Sequence, residues 1–225
     1  MFSREDLEKA ASHEMEIFNL VEKEYPPLEK YRNKIFEQFF KHYHAINEYV
    51  IRLHDGLLYR HSFIINGAIL RSLNYYRGAL WALGTRNSHV FYDCARAQCE
   101  TLALIHYCVL KPEYIKAATI GERGHEKEGL RVVNVLTMID KLDRKHKNIR
   151  KDYDDLCNFV HPNPRSLYAN VKPINKKEGE LVVEISTKCT RINNKVAELY
   201  IKILINWTDW FFDELSDLVK ILKPT

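Results

Sequence analysis

Apolar side chains recur along most of the chain at spacings of three and four residues, which is the period of an amphipathic helix. One such stretch, 28–53, carries a wide aromatic face that needs a partner surface. The pattern predicts helices over 3–24, 28–53, 57–83, 90–110, 112–120, 130–146, 149–160 and 190–222. Two further stretches, 166–174 and 180–187, alternate and are rich in β-branched residues, with a turn glycine between them. They predict a β-hairpin.

The predicted helices follow one another without a clear linker, repeat or low-complexity stretch. Pro26 and Pro27 end the first helix, so residues 1–25 are a candidate N-terminal helical arm, although we favour a single domain over 1–225. The fold class that we predict is all-α. It is a multi-helix bundle with a small β-hairpin inserted before the C-terminal helix.

The third predicted helix, 57–83, is strongly apolar and is therefore expected to be central. Gly67 and Gly78 lie inside it, and each costs about 1 kcal/mol relative to Ala, so close contact with another helix is the expected compensation. Arginine is seldom buried without a partner, so each arginine of this helix should reach the surface or meet a carboxylate. These arginines are Arg60, Arg71 and Arg77.

Composition adds only broad limits to this picture. The 225 residues are 46% hydrophobic and 28% charged, which is typical of an ordinary soluble globular protein, and 8 Gly and 7 Pro are too few for a loop-rich, sandwich-like or disordered one. The net charge of +4 is weak support for nucleic-acid binding. The five cysteines form no CxxC pair, the start lacks signal-peptide character, and no run of about 18 apolar residues occurs. We therefore expect reduced thiols, a cytoplasmic location and no membrane span.

The fourth predicted helix, 90–110, is apolar nearly all round, so its charged residues need an explanation. Arg96 and Glu100 are four residues apart and share one face within pairing range. They form either a structural ion pair that sets the helix register or a charged group that lines a cleft. His106 in the same helix is interpreted as a core histidine with satisfied hydrogen bonds.

The stretch from Tyr153 to Tyr168, YDDLCNFVHPNPRSLY, contains the point where a long helical pattern stops. Tyr153, Cys157 and His161 share the apolar face of the helix, and His161 lies at its C-terminus. A helix C-terminus favours imidazolium. Two prolines on either side of Asn163 fix a turn, which suits a preorganised catalytic histidine and equally a rigid helix-to-strand corner. Cys157 and His161 are also spaced for a thiolate–imidazole pair, but apolar burial would make the thiol inert.

Two other features have two interpretations each. The basic run RKHKNIRK, residues 144–151, is either a solvated connection or a patch that contacts phosphates near His161. The aromatic stripe of the last helix either completes the core or forms a homodimer face, since exposed aromatic side chains would need covering. Its members are Trp207, Trp210, Phe211 and Leu215.

The segment CARAQCE, followed about 60 residues later by YDDLCNFVHPNPRSL, resembles a prokaryotic family of helical domains of unknown function. Members of that family show an Arg…Glu helix and then a Tyr-x-x-Leu…His-Pro segment. The family is distantly similar to the HEPN superfamily, helical bundles that often act as metal-independent endoribonucleases in toxin, antiphage and RNA-processing systems. The resemblance covers roughly residues 57–222. One departure is that HEPN ribonucleases typically carry Arg-x4-6-His on one helix, whereas Arg150 and Lys151 lie eleven and ten positions before His161.

The resemblance implies a metal-independent endoribonuclease with no cofactor. His161 would act as general base or acid on a ribose 2′-OH, and Arg96 would stabilise charge on the phosphate. Tyr153 and Asn163 would position the substrate, and Glu100 would orient Arg96. The expected partners are RNA, a second copy of the chain and a protein partner.

The alternative is a non-catalytic helical module that regulates or binds a partner protein. In it, Arg96, Glu100 and His161 form a buried polar network that ties the fourth helix to the corner after Val160. A nucleotide-binding pocket without hydrolysis fits the same residues, although no glycine-rich phosphate loop supports it.

Overall fold

The computed structural model describes residues 3–51, 60–119, 133–160, 171–177, 180–185 and 192–222. The all-α, multi-helix class predicted from the sequence is confirmed. A 3₁₀ segment, Pro26–Tyr31, precedes the second helix, and a π-helical segment, Ile46–Ile51, follows it. The α-helices are α1 (Arg4–Glu24), α2 (Arg32–Ala45), α3 (Arg60–Gly84), α4 (Ser88–Leu110), α5 (Tyr114–Thr119), α6 (Val135–Lys145), α7 (Ile149–Val160) and α8 (Asn194–Leu222).

Two short strands, β1 (Val171–Lys177) and β2 (Glu180–Ile185), pair antiparallel, with Val171 opposite Ile185 and Lys177 opposite Glu180. The register shifts between Pro173 and Asn175. Proline has no N–H to donate to a ladder, so an irregularity beside it is expected. The sequence predicts strands over 166–174 and 180–187, and residues 161–170, 178–179 and 186–191 lie outside the described ranges.

Helix α1 begins where its sequence provides a cap. The Ser3 hydroxyl accepts the backbone N–H of Asp6, and the Asp6 carboxylate accepts the N–H of Ser3, so two otherwise unpaired donors are satisfied. The helix packs against α2 and α3 and buries Phe18 and Val21 completely. The first helix is therefore part of the core.

Helices α3 and α4 pack against each other at the centre of the bundle. A methyl group added at Gly78 would come within 2.8 Å of the Cys94 sulfur, so the glycine permits close contact with α4, as the sequence predicts. At Gly67, no atom of the described residues lies within 4 Å of an added methyl group, so they do not provide the close contact that the sequence predicts there. At Gly84 the added methyl group would meet the backbone of α1 at Leu20 and Val21, 2.9 Å away.

A chain of buried polar groups joins α2, α3 and α4. His42 is fully buried, with Nδ1 2.8 Å from the Gln38 carbonyl oxygen and Nε2 2.8 Å from the Ser72 hydroxyl. The Gln98 amide donates to the same hydroxyl at 2.8 Å. A carbonyl can only accept, so Nδ1 carries the ring proton, Nε2 accepts from Ser72, and Ser72 accepts from Gln98. Burial lowers the pKa of His42 to about 4, which keeps the ring neutral near pH 7.

The last helix, α8, lies against α4 and completes the core. Trp207, Phe211 and Leu215 of its aromatic stripe are buried within one chain, which supports the core interpretation of the stripe. None of the helices in the described ranges is both long and apolar enough to cross a membrane.

Candidate functional site

Three of the residues predicted to form the site lie in contact between α4 and α7. Arg96 Nε donates to Glu100 Oε1 at 2.9 Å along one face of α4. The Tyr153 hydroxyl, from α7, donates to the same oxygen at 2.9 Å. We call Arg96, Glu100, Tyr153 and the neighbouring Arg71 the Glu100 cluster. The contact between α4 and α7 therefore brings together residues that are 53 positions apart.

Arg71 joins this cluster from α3, and sequence reasoning did not include it in the site. Its Nη2 lies 3.9 Å from Glu100 Oε2, and its guanidinium lies over the Tyr75 ring, 5.1 Å from the centroid. The available signal was an arginine in an apolar helix, which predicts a carboxylate partner. The sequence does not identify which carboxylate, because that depends on how α3 and α4 pack.

The Glu100 cluster has an excess of positive charge. Two guanidinium groups face one carboxylate, and side-chain exposures of 49% for Arg71, 29% for Arg96 and 20% for Glu100 leave it open to water. The hydrogen bond to Glu100 raises the pKa of Arg96, and burial followed by the Glu100 contact raises the pKa of Tyr153. Tyr153 therefore remains a neutral donor. Two partly exposed guanidinium groups of this kind suit a phosphate oxyanion.

The sequence singles out three other residues of the stretch from Tyr153 to Tyr168. Burial raises the pKa of the Cys157 thiol, which disfavours the thiolate needed for a thiolate–imidazole pair. His161 and Asn163 lie outside the described residues. In the sequence, His161 follows directly on Val160, the last residue of α7. The catalytic and positioning roles of these residues stay predictions.

A second polar centre surrounds Glu214 of α8, whose side chain is fully buried. Lys145 Nζ lies 2.7 Å from Glu214 Oε1, and His146 Nε2 lies 3.4 Å from the same oxygen. His106 Nδ1, from α4, is 3.0 Å from Glu214 Oε2. The His146 ring stacks on Trp210, with centroids 4.2 Å apart. We call Glu214, Lys145, His146 and His106 the Glu214 cluster. It joins α4, α8 and the end of α6.

Electrostatics in the Glu214 cluster favour the ionised carboxylate. Burial alone would raise its pKa, but contacts with His106 and Lys145 outweigh burial and lower the pKa to about 2. Burial is also the main reason why the pKa of His146 is lowered. His106 lies in the core at 4% exposure, as expected, but its Nδ1 makes no hydrogen bond among the described residues, so the expectation of satisfied hydrogen bonds is not confirmed. These contacts hold α4, α8 and the end of α6 together, so we interpret the Glu214 cluster as a structural clamp.

Sequence reasoning missed Glu214, although its position contains a signal. It lies three residues after Phe211 and four before Leu218, in phase with the buried face of α8. Glu14 shows the same pattern on α1, where it lies between the buried Ala11 and Phe18. A carboxylate in phase with an apolar stripe predicts a buried ion pair.

Glu14 has the partner that this rule requires. Arg77 Nε donates to Glu14 Oε2 at 2.8 Å, and the Tyr43 hydroxyl donates to Glu14 Oε1 at 2.7 Å. Burial acts to lower the pKa of Arg77, but its bonds with Glu14 and Tyr43 outweigh burial and raise the pKa. The expectation that Arg77 would reach the surface or meet a carboxylate is confirmed.

Within the described ranges, two of the five lysine and arginine side chains in the basic run at 144–151 pair with nearby acids. Arg150 pairs with Asp140 at 2.5 Å and with Asp154 at 2.9 Å, and Lys145 is bound to Glu214. These pairs tie the segment to α6, α7 and α8, and both interpretations of the run stay predictions. Among the described residues, no group of three or more His, Cys, Asp or Glu side chains could hold a metal ion.

Comparison with known proteins adds no relative. No protein-family model, curated protein or solved structure matches the chain. The resemblance to HEPN proteins therefore rests on the residues of the two segments alone.

Proposed function

We propose that this protein is a metal-independent endoribonuclease, with an active site formed by the Glu100 cluster and His161. The observation that carries the proposal is the convergence of Arg96 and Tyr153 on Glu100. The cluster is partly exposed and rich in cations, and Tyr153 belongs to the helix that His161 follows in the sequence. A ribonuclease that acts without metal needs a cation beside a group that transfers protons.

In this proposal the reaction is an internal transesterification of RNA. His161 accepts the proton of a ribose 2′-OH, and the 2′ oxygen attacks the adjacent phosphorus. The bond from phosphorus to the 5′ oxygen breaks, and that oxygen takes up a proton from water, while His161 returns the proton it accepted to water after the step. The products are a 2′,3′-cyclic phosphate and a 5′-OH end, so no metal or redox partner is consumed.

The Glu100 cluster would provide the electrostatic part of catalysis. Arg96 stabilises the charge that builds up on the non-bridging phosphate oxygens, and Glu100 holds Arg96 in orientation through its Nε bond. Tyr153 stays protonated and helps to fix Glu100, and with Asn163 it positions the substrate. We extend the proposal to a homodimer that acts as a toxin or antiphage effector, alone or with a protein partner.

The decisive experiment compares cleavage of mixed end-labelled RNAs in EDTA by the wild type and His161→Ala, with melting curves of both. We expect the variant to lose about 10²–10⁴ in rate, the range for a general acid–base group. His13→Ala is the matched control, because His13 is an exposed histidine of α1 and should leave the rate unchanged. Loss of cleavage in His161→Ala alone, with matched melting curves, supports the proposal.

One observation favours a second function, a non-catalytic module for regulation or partner binding. Glu100 Oε1 already accepts two hydrogen bonds from within the chain, which is how a purely structural network is satisfied. This alternative predicts no cleavage by any variant and a lower melting temperature for His161→Ala. The same experiment therefore separates the two functions.

A further inference from the structure

Within the Glu100 cluster, Arg71 makes the weakest contact with Glu100. At 3.9 Å its Nη2 is within Coulombic range of Glu100 Oε2 but too far for a hydrogen bond. Glu100 Oε1 already accepts from Arg96 and Tyr153. The N–H groups of the Arg71 guanidinium therefore make no hydrogen bond to Glu100.

Within the part of the chain that the structure describes, Arg71 is held by an aromatic contact and has no carboxylate within hydrogen-bond distance. Its guanidinium rests over the Tyr75 ring, which restricts its rotamers and lowers the entropy cost of binding. Arg71 lies two turns before Gly78 on the same face of α3, and the close contact between Gly78 and Cys94 fixes α3 against α4. On α7, the Asp154 carboxylate is already paired with Arg150.

We propose that Arg71 and Arg96 together form a binding site for a phosphodiester of single-stranded RNA. Guanidinium forks match phosphate oxygens in a bidentate geometry, and two of them here face a single carboxylate. Arg71 is then a substrate-binding residue from a third helix. The inference rests on the proposed function for the identity of the ligand, but it concerns binding and not cleavage.

The test measures binding of a short fluorescent 2′-O-methyl RNA, which lacks the attacking hydroxyl group, by anisotropy in EDTA at several salt concentrations. We expect Arg71→Ala to weaken binding by about tenfold, the effect of one charge-assisted hydrogen bond. The slope of log affinity against log salt should fall by about 0.7, the value for one lost phosphate contact on a single strand. Arg71→Lys keeps the charge but not the fork, so it should restore the slope and only part of the affinity.

The control is Arg4→Ala, which removes an arginine of α1 that pairs with Glu8 and is 85% exposed. Equal affinities and slopes for Arg71→Ala and Arg4→Ala would overturn the inference. Displacement of the RNA by inorganic phosphate, at concentrations where chloride of equal ionic strength has no effect, would support the inference, because it would show that the site recognises phosphate oxygens. Binding that depends on Arg71, in a protein that cleaves no RNA, would refute the endoribonuclease and leave the binding site standing.

Discussion

Glu100 and Glu214 are both carboxylates that contact several basic side chains, but they differ in burial. The Glu214 side chain is fully buried and contacts one lysine and two histidines. The Glu100 side chain is 20% exposed and faces two arginines that are themselves partly exposed. The same chemistry is therefore used once as a structural clamp and once at a surface that a ligand can reach.

The difference follows from solvation. A buried charge pair loses its hydration, so removing one partner leaves an uncompensated charge and destabilises the fold strongly. A pair that remains in contact with water loses little when it is broken. Mutations in the Glu214 cluster should therefore lower stability. Mutations in the Glu100 cluster should lower activity with little loss of stability.

The largest expected effect is on activity in the Glu100 cluster. Arg96→Ala should reduce RNA cleavage by about 10²–10³, the range for loss of one donor to a developing oxyanion. The melting temperature should fall by less than about 4 °C, because the pair that is lost is partly exposed. Cleavage rates and melting curves measured on the same preparations check both values. A large fall in melting temperature would place Arg96 with the structural residues.

The next effect is on stability in the Glu214 cluster. Glu214→Gln should lower the free energy of unfolding by about 3 kcal/mol, because Lys145 loses its buried counter-charge. Asp217→Asn is the control one turn along α8, since Asp217 lies 3.9 Å from Lys145 and is 43% exposed. It should change the free energy of unfolding by less than about 1 kcal/mol. Urea unfolding of both variants makes the measurement, and equal losses would contradict the comparison.

A pH titration tests whether the ionised Glu214 carboxylate stabilises the fold. The pKa of Glu214 is lowered in the fold from its ordinary value of 4.5 to about 2. Its contribution is therefore complete above pH 4.5 and is lost as the pH falls towards 2. The difference in unfolding free energy between the wild type and Glu214→Gln should shrink by about 3 kcal/mol across that window. Both proteins contain His42, so its titration cancels, and a difference that does not change with pH would refute the assignment.

The smallest expected effect comes from Glu100→Gln. The amide oxygen can still accept from Arg96 and Tyr153, so the free energy of unfolding should change by less than about 1 kcal/mol. Cleavage should fall by about tenfold, because a neutral acceptor orients Arg96 less firmly. Chemical denaturation and cleavage assays check the two values. Destabilisation as large as that of Glu214→Gln would show that both clusters are structural.

Helix positions could be predicted because the information is local. The capping residue Ser3, the break at Pro26 and Pro27, and the apolar spacing fix the ends of α1 within a few residues. The stretch after α1 was predicted less well. A continuous helix over 28–53 was expected, whereas a 3₁₀ turn and a π-helical turn flank α2. Those departures depend on small differences in hydrogen bonding that residue spacing does not encode.

Part of the candidate site could also be predicted, for the same reason. Arg96 and Glu100 lie four residues apart on one helix, so their contact is local. The contacts of Arg71 with Glu100 and of Lys145 with Glu214 join helices that are distant in sequence. They depend on the relative rotation of packed helices, which one sequence does not specify. His161 and Asn163 lie outside the described residues, so their roles stay predictions.

The buried ring of His42 has a consequence for measurement. Its Nδ1 proton points at the Gln38 carbonyl oxygen inside a fully buried site, so water cannot reach it while the helices stay packed. In an NMR spectrum that proton should be visible and should exchange with deuterium only when α2, α3 and α4 separate. The exchange rate of a single imidazole proton would therefore measure how often the bundle opens.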